Sequence, residues 1–256
     1  MDIATSTLFC LHKPLEHALL DIVDSDTSLI ELVDAGQHTL TEERIERLME
    51  LKEEHFLSYS IHAPYTDVNL AADDPSIRSV ILERITASIR WASMLEARVL
   101  VFHPGNSTAI ERYTPGLAWR INLESVDHIL SCADRYGVKA MIENVPEPFP
   151  YVMKSVDDFE RFYDETERDA EMVLDVAHAN IRGETLSFIG RFSDAIGHVH
   201  VSDNNGDSDV HLQLGKGSID WAETISALKG VGYDGWITVE SYEGIGESIQ
   251  LLNDLI

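Results

Sequence analysis

In the stretch HVHVSDNNGDSDVH, residues 198–211, three histidines and three aspartates fall within fourteen residues. Imidazole nitrogens and carboxylate oxygens are the side-chain atoms that hold divalent cations and pass protons near neutral pH. Further residues of this kind stand at the ends of apolar runs: His62, His103, Glu143, Asp175 with His178, His200 with Asp203, and Glu240. Of the eleven histidines, six (His62, His103, His178, His198, His200, His211) sit at or just beyond such ends. Brought to one place, these groups would repel one another or lose hydration at high cost unless cations or substrate hydroxyls compensated them. A divalent metal is the economical compensation, and imidazole plus carboxylate without thiolate suits Mn²⁺, Zn²⁺, Co²⁺ or Mg²⁺. Alternation along HVHV sends His198 and His200 to the same face, with His200 nearer the strand end as the ligand and His198 deeper as its support.

The elements that must position these residues read as eight repeated βα units. Short runs rich in Val and Ile at 2–9, 29–35, 57–64, 98–105, 139–145, 171–178, 198–203 and 236–242 predict strands. Between them lie helical periodicities such as 75–97, whose Ile77, Val80, Ile81, Ile85, Ile89 and Met94 predict a core-facing stripe. Strand starts recur every 25 to about 40 residues with no Pro/Gly/Ser linker, so one domain over 1–256 suffices. The expected fold class is α/β, a single (β/α)8 TIM barrel with its active site at the C-terminal ends of the strands. An open doubly wound sheet would usually place a Gly-rich phosphate turn after its first strand, and none follows DIATSTLF. In the barrel Glu143, Asp175, His200 and Glu240 come from strands five to eight, adjacent staves.

Composition narrows the partners. A formal charge of −26 disfavours nucleic acid without excluding it. No apolar run reaches the roughly 18 to 20 residues of a membrane span, and the N-terminus lacks a basic leader region. Cys10 and Cys132 show no CxxC spacing, so neither a disulfide framework nor a thiolate zinc site is expected. A cytoplasmic protein is the expectation, and no helix face identifies an oligomer interface.

Taken in order, the motifs HAPYTDVNLA (62–71), VFHPG (101–105), IEN (142–144), LDVAHAN (174–180), HVHVSD (198–203), DVHLQLGKG (209–217) and VES (239–241) make the chain resemble the xylose isomerase-like barrel superfamily over nearly its whole length. That superfamily includes sugar-phosphate isomerases and epimerases and the endonuclease IV apurinic-site nucleases. Resemblance to the epimerase branch implies one divalent metal on Glu143, Asp175, His200 and Glu240, with Glu143 and Glu240 doubling as acid and base. Resemblance to the nuclease branch implies up to three zinc ions: one on His62, His103 and Glu143, one on that quartet, and one on His178, Asp209 and His211. All nine residues are present.

The segment after strand two, VDAGQHTLTEERIERL (33–48), is short and acidic where the nuclease branch carries a DNA-contacting arginine loop. Tyr65 suits a rim aromatic over a sugar, and ENVPEPFPYVMKS (143–155), stiffened by three prolines, suits a lid. Lys216, between glycines in LGKG, is positioned to neutralise a phosphate. His62, Tyr65, His103, His178 and Lys216 are thus the expected substrate contacts. The leading reading is a metal-dependent isomerase or epimerase of a sugar or sugar phosphate, working through an enediolate. The alternatives are a zinc-dependent apurinic-site endonuclease and a sugar-binding barrel without turnover. The last would be expected to lose one of the paired glutamates, and both are present.

Overall fold

A computed structural model describes residues 1–23 and 27–256. Eight parallel strands form it: β1 Asp2–Ser6, β2 Leu29–Val33, β3 Ser58–His62, β4 Leu100–Phe102, β5 Ala140–Glu143, β6 Met172–Asp175, β7 Ile196–Val201 and β8 Trp236–Val239. Each pairs with the next, and β8 returns to β1, closing the barrel. The helices are α1 Leu15–Val23, α2 Glu42–His55, α3 Pro75–Met94, α4 Leu117–Tyr136, α5 Val156–Glu165, α6 Val176–Ile181, α7 Thr185–Arg191, α8 Trp221–Gly230 and α9 Ile245–Leu255. The expected (β/α)8 barrel is therefore observed. Among the described residues no helix is long and apolar enough to cross a membrane.

Period-two alternation divides every strand into two chemistries. One set of side chains, including Ile30, Leu32, Tyr59, Ile61, Phe102, Ile142, Leu174, Val199, Val201 and Ile237, is buried in the main core with the helices. The alternate set faces the barrel interior. Low in the barrel it is a small apolar cluster of Val99, Val101, Met141 and Val173. Around and above that plug the alternate positions are Glu31, Ser60, His62, Glu143, Asp175, His198, His200, Thr238 and Glu240, all buried.

The strands are shorter than the apolar runs suggest. β1 ends at Ser6 and passes into a 3-10 turn, Thr7–Cys10, while VFHPG leaves its strand at Phe102. His178, expected at the end of strand six, lies on α6 instead. Asp175 ends β6 and caps α6, its Oδ1 accepting from the His178 N–H at 2.7 Å. The stripe on α3 is also narrower than its periodicity predicts. Ile81, Ile85 and Ile89 are buried, whereas Ile77, Val80 and Met94 are 56%, 65% and 43% exposed. A 20-residue helix is about 30 Å long, and strands of three to six residues span about 10–20 Å. The first and last turns of α3 therefore outrun the sheet, and Val80 stands beside the buried arc.

Asp203 is a loop organiser. It is fully buried, its Oδ2 accepts from Gly215 N at 2.8 Å and Trp221 Nε1 at 3.0 Å, and its Oδ1 accepts from Asn204 N at 2.9 Å and Ile219 N at 3.3 Å. LGKG belongs to the same knot, because a Cβ on Gly217 would collide with the Asn204 carbonyl and the Asp203 carboxylate. Asp203→Ala strands several buried donors at once, and a loss of about 3 kcal/mol in folding stability is expected. Chemical denaturation of the variant checks this; an unchanged midpoint would contradict it.

Candidate metal centre at the barrel mouth

Glu143, Asp175, His200 and Glu240 each offer a ligand atom within 4.8 Å of all the others, so the four expected ligands converge. Glu143 is the hub: Oε2 lies 3.0 Å from His103 Nε2 and 3.3 Å from His62 Nε2, and Oε1 lies 3.2 Å from His200 Nδ1. His62, His103 and Glu143 form a second converging group. His178, Asp209 and His211 meet differently, with Asp209 Oδ2 standing 3.3 Å from His178 Nε2 and 3.2 Å from His211 Nε2. That trio is not among the groups whose donor atoms all lie within 4.8 Å of one another.

The carboxylates need their partners. Burial works to raise the Glu143 carboxyl, but His200 and His103 beside it hold it well below the usual carboxylate range. Asp175 goes the other way: burial, with Glu143 and Glu240 nearby and only His178 opposing, pushes it up to about 7. Its Oδ1 is spent on the α6 cap, while Oδ2 is buried with no hydrogen-bond partner among the described residues. Asn144, which follows Glu143, fixes Asp175 by accepting from its backbone N–H at 2.7 Å and donating to its carbonyl at 3.0 Å. An orphaned carboxylate oxygen aimed among two glutamates and an imidazole fits a divalent cation.

The mouth is a cavity of about 270 Å³, at the small end for a ligand pocket. His62, Tyr65, His103, Glu143, His178, Asp209, His211 and Glu240 line it, together with Pro146, Phe149, Tyr151 and Tyr242. The rings form a collar: Tyr65 stands 5.4 Å from His62, Tyr151 5.9 Å from His103, and Tyr242 4.7 Å from His211 between centroids. Pro146, Phe149 and Tyr151 bring the expected lid segment to the cavity wall. Lys216 does not join it. Its side chain is exposed on the turn after Leu214 and is not among the residues that line the cavity. In the acidic segment after β2, Arg44 is tied to Glu16 at 2.8 Å and Arg47 to Glu50 at 2.7 Å.

Two contributors escaped sequence reasoning. Asn144 sits inside IEN, but only the structure shows it gripping Asp175. Glu31, fully buried on β2, lies 3.0 Å from both His198 Nε2 and His200 Nε2. Its signal was available, since a charged residue in the middle of LIELV occupies an inward position.

Because the cation-free Asp175 carboxyl sits near 7, it is protonated below that pH and must lose its proton to bind metal. Affinity for Mn²⁺ should therefore fall from pH 8 to pH 6, by up to about tenfold per unit below 7 for each proton released. Calorimetry in buffers of different ionisation enthalpy should find more than one proton released per ion at pH 6, because His200, held against burial above the ordinary imidazole range by Glu240, Glu31 and Glu143, must give one up as well. Affinity independent of pH across this window would contradict the arrangement.

Several known proteins resemble this chain over most of its length. An uncharacterized protein of Methanocaldococcus jannaschii is 29% identical, covering 100% of this chain and 92% of its own. The fructoselysine 3-epimerase of Shigella flexneri is 22% identical, over 92% and 89% of the two chains. A solved D-tagatose 3-epimerase-like protein superposes with a TM-score of 0.94 at 28% identity, covering 100% of this chain and 97% of that one. The profile described as xylose isomerase-like TIM barrel matches residues 22–255, and the chain belongs to that family.

Proposed function

We propose that the protein is a divalent-metal-dependent epimerase or isomerase of a small sugar, with Glu143 and Glu240 as the proton-transferring pair. One observation carries the reading. Glu143 ends β5 and Glu240 follows β8, three staves round an eight-stave barrel, yet their carboxylates enter one group of ligand atoms. Two carboxylates approaching one point from different walls can address the two faces of a planar intermediate. Relatives named as 3-epimerases support the same class.

When bound, a cation on Glu143, Asp175, His200 and Glu240 would polarise the substrate's carbonyl and stabilise negative charge on its oxygens. The protein's own groups do the rest. One glutamate takes the proton from the carbon beside the carbonyl, leaving an enediolate, and the other returns a proton to the opposite face of that carbon. Configuration inverts and no atom is gained or lost. Return to the neighbouring carbon on the same face would instead interconvert aldose and ketose. Glu143, held ionised by His200 and His103, suits the accepting role. His178 and His211 present Nε2 toward Asp209 at the wall, within reach of substrate hydroxyls. Tyr65, Phe149, Tyr151 and Tyr242 cover the apolar faces of the sugar and restrict water.

A panel of free ketoses, aldoses and their phosphates, run with Mn²⁺, Co²⁺, Mg²⁺ and Zn²⁺, tests the proposal. In D₂O the inverted or newly protonated carbon should carry solvent deuterium, and Glu240→Gln should lose at least about 10²-fold in turnover. Wild-type rates in that variant would overturn the assignment of Glu240. The converging His62, His103 and Glu143 favour one rival, metal-assisted phosphodiester hydrolysis. Cleavage of an abasic duplex by the metal-loaded protein, absent in Glu143→Gln, would replace the sugar reading.

A further inference from the structure

Three histidines at the mouth are held alike. His62, His178 and His211 each direct Nδ1 to a backbone carbonyl, of Ala63 at 2.8 Å, Asn144 at 2.8 Å and Glu240 at 2.9 Å. Each turns Nε2 toward a carboxylate in the cavity. His200 is reversed. Its Nδ1 faces Glu143 Oε1 at 3.2 Å and Glu240 Oε2 at 3.5 Å, while Nε2 points away from them to Glu31 Oε1 at 3.0 Å. In the cation-free chain Nδ1 is hydrogen-bonded to Glu143, whereas the approach of Nε2 to Glu31 Oε1 is off the N–H direction, and among the described residues neither of those two atoms has a hydrogen-bond partner.

Glu31 is itself braced. Its Oε2 accepts from Ser60 Oγ at 2.9 Å and stands 3.0 Å from His198 Nε2, which is 3.0 Å from Thr238 Oγ1. This column from β2, β3, β7 and β8 is closed to solvent, with Glu31, Ser60, His198, His200 and Thr238 all 0% exposed. A buried carboxylate is costly unless donors surround it, and the proton transfer proposed above has no use for this one.

We propose that Glu31 is the positioning residue for His200: its carboxylate keeps the imidazole proton on Nε2, so that Nδ1 presents its lone pair to the cation shared with Glu143, Asp175 and Glu240. The inference rests on the metal-dependent reading of that quartet. A neutral imidazole has one proton for two nitrogens, and with a cation on Nδ1 that proton is left to Nε2, where Glu31 is the acceptor at hand. Without a carboxylate below, the proton can move to Nδ1, between Glu143 and Glu240, and close the ligand atom. A carboxylate behind a ligating histidine also makes it more basic and fixes its ring. The Ser60 and His198 contacts hold Glu31 in place so that it can do this. A cation inside the Glu31, His198 and His200 group is the competing arrangement. Glu31 Oε2 is already taken up by hydrogen bonds with Ser60 Oγ and His198 Nε2, which favours the proton.

The test compares the full-length chain, stripped with chelator and titrated with Mn²⁺, with Glu31→Gln and Glu31→Asp. Glu31→Gln should bind the ion about 10- to 100-fold more weakly, and Glu31→Asp, which keeps the charge, should recover part of the loss. In ¹⁵N-histidine NMR spectra of the wild type loaded with diamagnetic Zn²⁺ at pH 8, His200 should carry its proton on Nε2 and coordinate through Nδ1. This measurement needs no variant and stands even if Glu31→Gln fails to fold. A proton found on Nδ1, a Glu31→Gln variant that melts lower but binds Mn²⁺ as tightly as the wild type, or a second Mn²⁺ lost only with Glu31 would each overturn the role. Asp175→Asn separates the two levels. Unchanged Mn²⁺ affinity in that variant defeats the quartet itself, whereas weakened binding there beside an intact Glu31→Gln defeats only the role of Glu31.

Discussion

Side-chain alternation in a closed barrel is the constraint from which the rest follows. A strand that packs Ile, Leu or Val outward against helices must send its next residue inward, where there is no sheet edge and little room for water. This chain fills the bottom of that interior with Val99, Val101, Met141 and Val173 and gives most of what lies above to ionisable groups. Such groups persist there only as mutually compensating sets. Glu31 with His198 and His200, and Glu143 with His62, His103 and His200, are two such sets sharing one histidine. Stability is supplied by the outer apolar core, which leaves the interior free to carry chemistry.

Sharing His200 links the two layers. The lower set is sealed from solvent, with hydroxyls of Ser60 and Thr238 closing its ends. The upper set is incomplete, since Asp175 Oδ2 has no partner and burial keeps its carboxyl near neutrality. Carboxylates of the upper layer that converge beside an orphaned Asp175 oxygen are a structural reason to look for the cation at the mouth. Backbone devices set the upper layer's shape. Asp175 caps α6, Asn144 clamps Asp175, and Asp203 ties down the loop that returns Asp209 and His211 to the rim.

The barrel and most of its mouth were legible because both rest on short-range pattern. Strand order follows from eight apolar runs, and His62, Glu143, Asp175, His200 and Glu240 stand at or beside the ends of the strands that the hydrogen bonds define. What was illegible depends on contacts between distant residues. The His198 support was readable from alternation, but its partner Glu31 lies 167 residues away. Lys216 carried a plausible charge in a plausible turn, yet LGKG serves the Asp203 knot, and nothing local reports which way the lysine faces. Ile77 and Met94 kept the helical period while outrunning the strands, because periodicity does not measure how much sheet there is to cover. His178 was assigned to a strand because Asp175 caps α6 without any Gly or Pro to announce the turn.

Anomalous diffraction from crystals soaked in Mn²⁺ tests the central claim most directly, since it locates the cation without reference to any substrate. A strong peak is expected within bonding distance, about 2.0–2.3 Å, of oxygens from Glu143, Asp175 and Glu240 and of His200 Nδ1. A peak bound instead through His200 Nε2 by Glu31 and His198, or no peak at the quartet at saturating Mn²⁺ and pH 8, would contradict it.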